Sequence, residues 1–194
     1  LEDAAEAWPN NPAVDFMGRK ISYRDLNDLA NRAALGFQKL GVEPGVHVGL
    51  YLPNTPHYLI SLFGVLKAGG TLVNYSPLDA EKVLEHKIDD SETDFLVTLD
   101  VPTLYPQMGR LLGHTRLKKL IVGNIAEMTG QPEVVAAQMR ATKQVVMRSL
   151  DVPATEMSMR NLNYPAFVAM TRSEDTVEGP RAFAEKRKPA WKGR

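Results

Sequence analysis

The sequence has no cysteine, which removes disulfides, thiolate nucleophiles and cysteine-based metal sites, and fits a reducing compartment. It has no apolar run near the roughly 20 residues that a membrane-spanning helix requires, and its first residues show no signal-type pattern. A cytoplasmic protein without a membrane span is therefore expected. Net charge is also lacking, because 23 basic side chains balance 23 acidic ones. That balance argues against general attraction to nucleic acid or anionic lipid. The four histidines, His47, His57, His86 and His114, are too widely spaced for a metal-ligand motif, so separate packing or surface roles are expected and no metal site. Asp89, Asp90, Glu92 and Asp94 read as an acidic turn, and Ser22 and Ser173 as helix caps rather than nucleophiles. No catalytic residue is assigned.

What is present is the balance of a globular protein, with 44% hydrophobic and 24% charged residues in 194. A chain of this length buries about 70% of its unfolded surface as one domain, or divides into two small ones. The stretch Gly64 to Leu78 organises the first half. An apolar helix ends there in Gly69-Gly70, and Thr71, Leu72 and Val73 follow at once as a buried strand. Lys67, in the last helical turn, is expected to cap free carbonyls at the negative end of the helix dipole.

Around that stretch the chain reads as alternating elements. Residues 1 to 19 form a lead-in with a short edge strand at Ala13 to Phe16. Ser22 caps a helix in which Leu26, Leu29, Ala30, Ala33, Phe37 and Leu40 recur at three- and four-residue steps, and Gly41 closes it. Val46 to Leu52 is a strand, and Asn54-Thr55-Pro56 opens the next helix. Asp79 is expected to cap a further helix, followed by strands at Phe95 to Leu99 and Leu120 to Val122 with a short helix near Leu104 to Leu112 between them. This alternation predicts an α/β layer with a largely parallel sheet, since parallel neighbours need crossover connections.

Beyond Gly123 no further strand is expected. Helices are predicted over Glu133 to Leu150 and Pro153 to Leu162, with a break at Asn163-Tyr164-Pro165 and a new start at Ser173-Glu174-Asp175. Phe183 and Ala184 are placed mid-helix and Lys186 to Lys188 at its end. From Gly179 onward six basic residues face one acid, which predicts a solvated tail or a local anion-binding end.

The stretch from DFMGRKISYRDL through GVLKAGGTLVNYSPL, with the following DSETDFLVTLD, resembles the N-terminal subdomain of the long-chain fatty-acid CoA ligases, within the AMP-forming acyl-adenylate superfamily. The resemblance implies formation of an acyl-adenylate from a carboxylate, ATP and magnesium, then acyl transfer to coenzyme A. In that family a Ser/Thr/Gly-rich loop ending in Pro-Lys-Gly holds the triphosphate, and a later Tyr-Gly-x-Thr-Glu segment, a ribose-binding Asp and a C-terminal lysine complete the site. None of these stretches occurs in the 194 residues.

The segment SEDTVEGPRAFAEKRKPAWKGR, with AQMRATKQVV before it, resembles the C-terminal helices of the enoyl-CoA hydratase (crotonase) superfamily. That resemblance implies a CoA contact at Phe183 and Lys186. The expected organisation is a partial ligase layer over 1–126, a junction at 127–131 and an all-α crotonase-type segment over 132–194. The expected function is a truncated fatty-acid CoA ligase fused to a hydratase end and catalytically incompetent alone. The alternatives are a CoA-contacting or subunit-interaction module, and an artefact of sequence assembly. CoA or acyl-CoA, a second copy of the chain or a complementary fragment are the expected partners.

Overall fold

A computed structural model of the chain describes residues 1–149 and 165–192. It divides into two compact units, Leu1–Gly130 and Gln131–Arg194. The helix predicted over Pro153 to Leu162 lies outside the described residues.

The first unit opens with helix α1 (Glu2–Ala7) and an antiparallel hairpin of β1 (Pro12–Phe16) and β2 (Arg19–Ser22). Met17 and Gly18 turn that hairpin at φ of 46° and 81°. Ser22 ends β2 and caps α2 (Tyr23–Leu40), its hydroxyl accepting from the Asp25 amide as the sequence predicts. The apolar stripe of α2 is buried at Leu26, Ala30, Ala34 and Phe37. Gly41 then ends the helix in the left-handed region, where a residue without Cβ carries no steric penalty.

Strand β3 (His47–Leu50), helix α3 (Pro56–Ala68), strand β4 (Thr71–Asn74), helix α4 (Glu81–Asp90), strand β5 (Thr93–Leu99), helix α5 (Tyr105–Leu111) and strand β6 (Lys119–Gly123) follow in alternation. A 3₁₀ turn at Ile125–Met128 leads to the end of the unit. The sheet is four-stranded and wholly parallel, in the order β4-β3-β5-β6. Right-handed crossovers from that order put α3 on one face and α4 and α5 on the other. The packing agrees, with α3 against β3 and β4, and α5 against β5 and β6. Every residue of β5 is buried, its Phe95-Leu96-Val97 run suiting a strand covered on both faces and Asp94 at its start paired with Arg116 and Lys118. Val48, Leu50, Leu96 and Leu99 form the centre of the core, with Leu84 and Ile88 of α4 and Met108 of α5 upon them.

Several local expectations change. The lead-in holds the helix α1 besides the predicted edge strand, and an unpredicted strand β2 follows it. Asp79 does not cap α4. The N-cap is Ala80, without a side-chain bond, and the Asp79 carboxylate is taken by Lys87 at 2.7 Å. Nor does the Lys67 ammonium bond the carbonyls ending α3. Those are met by the amides of Gly69 and Gly70, which donate to Leu66 and Val65. Lys67 instead reaches across to Asn27 (3.0 Å) and Asn31 (2.8 Å) on α2 and to Glu2 on α1. It thus ties three helices together.

The regular elements of the second unit, among its described residues, are helices: α6 (Pro132–Ser149), α7 (Pro165–Arg172) and α8 (Glu174–Ala184). Ser173 caps α8, its hydroxyl accepting from the Thr176 amide, as expected. The chain after α8 is not a free solvated tail. It returns along the helix, with Trp191 packed over Gly179 and the Lys192 amide donating to Asp175 at 2.7 Å. Helical content alone does not identify this unit as a hydratase end.

Candidate functional site

In an open parallel sheet, ligands bind outside the carboxyl ends of the strands, where successive crossovers leave in opposite directions. Here that switch lies between β3 and β5, whose chains depart to α3 on one face and α5 on the other. The carboxyl edge is lined by Tyr51, Asn74, Asp100 and Asn124, with Thr55 and His57 where α3 begins.

Most polar groups of this edge are engaged within the fold. The Tyr51 hydroxyl donates to Gln107 at 2.8 Å, and burial with the nearby Asp79 charge holds its pKa above the ordinary phenol value. The Tyr58 hydroxyl donates to Asn74 Oδ1 at 3.1 Å. Asp100 Oδ1 accepts from the Ile125 amide at 3.2 Å, fastening the turn after β6 to the end of β5.

His57 is the exception. Its ring lies against Gly123, where a Cβ would stand 2.8 Å from the ring carbon Cδ2, and its Nδ1 is buried with no hydrogen-bond partner. Burial lowers its pKa, outweighing the Asn124 backbone and the Glu127 and Asp100 charges, which act in the other direction. The expected packing or surface role of His57 does not foresee this orphaned nitrogen. Its position in the first turn after a parallel strand was the available signal that it sits at the sheet's carboxyl edge.

The residues implied for CoA contact stand in the other unit. Phe183 is 88% exposed and is the penultimate residue of α8 rather than mid-helix. Lys186 lies past the helix end, at φ of 52°, with its amide donating to the Phe183 carbonyl at 3.2 Å. Arg187 between the two lysines is already spoken for. Its guanidinium grips both oxygens of Glu178 and also bonds Glu185. Glu178 accepts from the Ala190 amide as well, and the Arg187 bonds lead in holding its pKa down to about 2. The guanidinium is correspondingly held in its charged form.

The glycine pair offers no cradle for a phosphate. The Gly69 and Gly70 amides serve the end of α3, and the Thr71 amide donates to Val46. A Cβ on Gly70 would stand 2.6 Å from Val42. Among the described residues no group of three or more His, Cys, Asp or Glu side chains is placed to hold a metal ion.

Comparison with known proteins gives this geometry a lineage. A long-chain-fatty-acid–CoA ligase of Bacillus subtilis is 30% identical over 133 residues, covering 69% of this chain and 23% of its own. Tyrocidine synthase 3 of Brevibacillus parabrevis is 33% identical over 142 residues, 70% of this chain and 2% of its own. Among solved structures, a long-chain-fatty-acid-CoA ligase from Archaeoglobus fulgidus superposes with a TM-score of 0.58 at 23% identity, covering 66% of this chain and 28% of its own. The chain thus spans about a quarter of the ligases it matches. The family model for AMP-binding enzymes matches residues 1–176. That span runs past the junction expected at 127–131 and through α6 and α7, and none of these relatives supports a crotonase fusion. With the match covering most of the sequence and the parallel layer built as in solved ligases, the chain belongs to the AMP-binding enzyme family.

Proposed function

We propose that this chain is the N-terminal layer of a fatty-acid CoA ligase of the AMP-forming kind, able to build its sheet but unable to activate a fatty acid alone. The observation that carries this reading is the four-stranded parallel unit, on a sequence 30% identical to a fatty-acid CoA ligase. ATP, magnesium and CoA belong to the complete reaction, but the residues present do not fit the first two. The glycine-pair amides are consumed by the α3 terminus, and the described residues include no cluster of metal ligands. Adenylation also needs preorganised donors around the developing charge on the transferring phosphate. The Pro-Lys-Gly loop that supplies them in the family is absent from these 194 residues.

Fatty-acid-dependent exchange between ATP and pyrophosphate tests the reading. The expected result is no exchange by the 194-residue chain, and exchange when the remainder of a fatty-acid CoA ligase is added as a second polypeptide. Exchange by the chain alone overturns the incompetence. Failure of complementation counts against the assignment as a ligase layer.

A second reading concerns residues 132–194 as a hydratase-type end with CoA contact at Phe183 and Lys186. The exposed aromatic ring of Phe183, three residues from the Lys186 ammonium, favours it. The family match reaching residue 176 weighs against a fusion. Titration of CoA into wild type and Lys186→Ala distinguishes the cases, with weaker binding by the variant expected and equal binding removing the assignment. Magnesium-independent hydration of crotonyl-CoA is expected to be absent.

A further inference from the structure

His57 projects from the first turn of α3, yet it packs on the last residue of β6, two strands away from the strand that feeds its helix. Gly123 is what lets the ring approach, because any Cβ there would collide with it. The imidazole therefore seals the carboxyl edge between α3 and the segment that leaves β6. That segment holds more than itself. The Glu127 carbonyl in the 3₁₀ turn accepts from Arg19, the Gly130 amide donates to the Met17 carbonyl at 3.0 Å, and the Gly130 backbone lies directly against Gly18. A contact chain runs from His57 through Gly123 and the 3₁₀ turn to the tip of the β1–β2 hairpin.

We propose that His57 is an acid-sensitive latch, which when neutral holds the 3₁₀ turn Ile125–Met128 and the β1–β2 hairpin tip against the sheet and when protonated releases them. A proton on Nδ1 would place a donor in a buried position where no acceptor stands, and a buried unsatisfied donor destabilises whatever conformation holds it. The charged groups around the ring are Asp100 from the loop after β5 and Glu127 from the 3₁₀ turn, with Arg19 of β2 bonded to the Glu127 carbonyl. The Asn124 backbone and the two carboxylates favour the imidazolium, but burial opposes it more strongly. The positive end of the α3 dipole opposes it too. Because the latched state has the lower pKa, the open state binds more protons. Stability of the latch is complete above the ordinary histidine pKa of about 6.5 and falls as pH drops below it, toward the latched-state value.

Hydrogen exchange on the full chain, corrected for intrinsic rates, reads the device directly. Between pH 7.5 and 5.5, amides of residues 125–130 and of the hairpin should lose protection by up to about tenfold for each pH unit below 6.5, while those of β3 and β5 do not. His57→Gln, neutral at both pH values, should abolish the pH dependence in those two segments. An NMR titration of the His57 ring in wild type gives a second reading that needs no variant, and a midpoint below the ordinary value is expected. Three results overturn the proposal: the same pH dependence in wild type and His57→Gln, a loss shared equally by β3 and β5, or a ring that titrates at 6.5 or above.

Discussion

The two units of this chain are held together by different physics. In Leu1–Gly130 a fully buried strand, β5, lies at the centre of an apolar core, and the charged groups stay at the margins apart from Asp94 at the start of β5, which is buried and paired with Arg116 and Lys118. In Gln131–Arg194 Ala182 is buried, and the contacts along α8 and the chain that follows it include a set of ion pairs: Arg187 on Glu178 and Glu185, Lys192 on Glu174, Arg181 on Glu185. Burial of apolar area is insensitive to salt and to mild acid, whereas exposed ion pairs are screened by one and titrated by the other. Apart from its His57 edge, the first unit should therefore respond to changes of shape, and the second to changes of charge.

The sharpest way to test that contrast is to hollow the core. Leu96→Ala removes a fully buried side chain from β5 and should cost about 2–5 kcal/mol. Urea unfolding followed by amide NMR signals of each unit should show the loss in residues 1–130 only. A smaller effect comes from filling space. A Cβ on Gly49 would stand 2.6 Å from the ring of buried Tyr75, so Gly49→Ala should destabilise the first unit by about 1–3 kcal/mol. The same unfolding measurement reads it, and an unchanged midpoint would mean that the ring moves freely. Smaller again is Ser22→Ala, which strips the cap from α2 and should cost about 1 kcal/mol.

The least of these changes belongs to the second unit. Glu178→Gln should loosen the return strand along α8 without moving the unfolding midpoint of the first unit. The chain has two tryptophans, Trp8 and Trp191, so emission in a Trp8→Phe background reports the contact of Trp191 on Gly179. The folded pKa of Glu178 is depressed to about 2 from an ordinary 4.5. Its contribution is thus complete above about 4.5 and is lost as pH falls from there toward 2. The variant should lack that part of the acid transition, and added salt should shift the Trp191 emission of wild type in the same direction as acid.

The same contrast explains what the sequence reveals and what it hides. Strands β3, β5 and β6 and helix α2 are legible because burial imposes apolar runs and a 3.6-residue stripe, and both survive in composition. Strand β2 is not: Arg19-Lys20-Ile21-Ser22 carries two exposed charges, and only its pairing with β1 makes it a strand. Helix α1 buries none of its residues, so it leaves no stripe to read. Lys67 falls in the last turn of α3 as expected, whereas Asp79 lies one residue ahead of the α4 cap, and neither makes the local bond expected of it, because a sequence shows neighbours along the chain and not those across it. Their partners, Asn27, Asn31 and Glu2 in one case and Lys87 in the other, are decided by packing. For the candidate edge site the position of His57 was legible, whereas its orphaned nitrogen depends on Gly123, far along the sequence. At the other end, the six basic residues and one acid are plain in the sequence, but the carboxylate that grips Arg187 with both oxygens, Glu178, comes from the helix beside it.

The strand order also bears on how a ribosome delivers this protein. Strand β3 pairs with β4 on one side, which is close in the chain, but its other partner is β5, beyond both α3 and α4. While α3, β4 and α4 are being translated, one edge of β3 and its covering side chains have no mate. The nascent chain must pass through that interval with an open, apolar strand edge, the template on which two such chains would join. Slow codons after β6 would be harmless, whereas a pause between β4 and β5 would prolong the exposure. The soluble yield from translation paused at those two places would measure the difference.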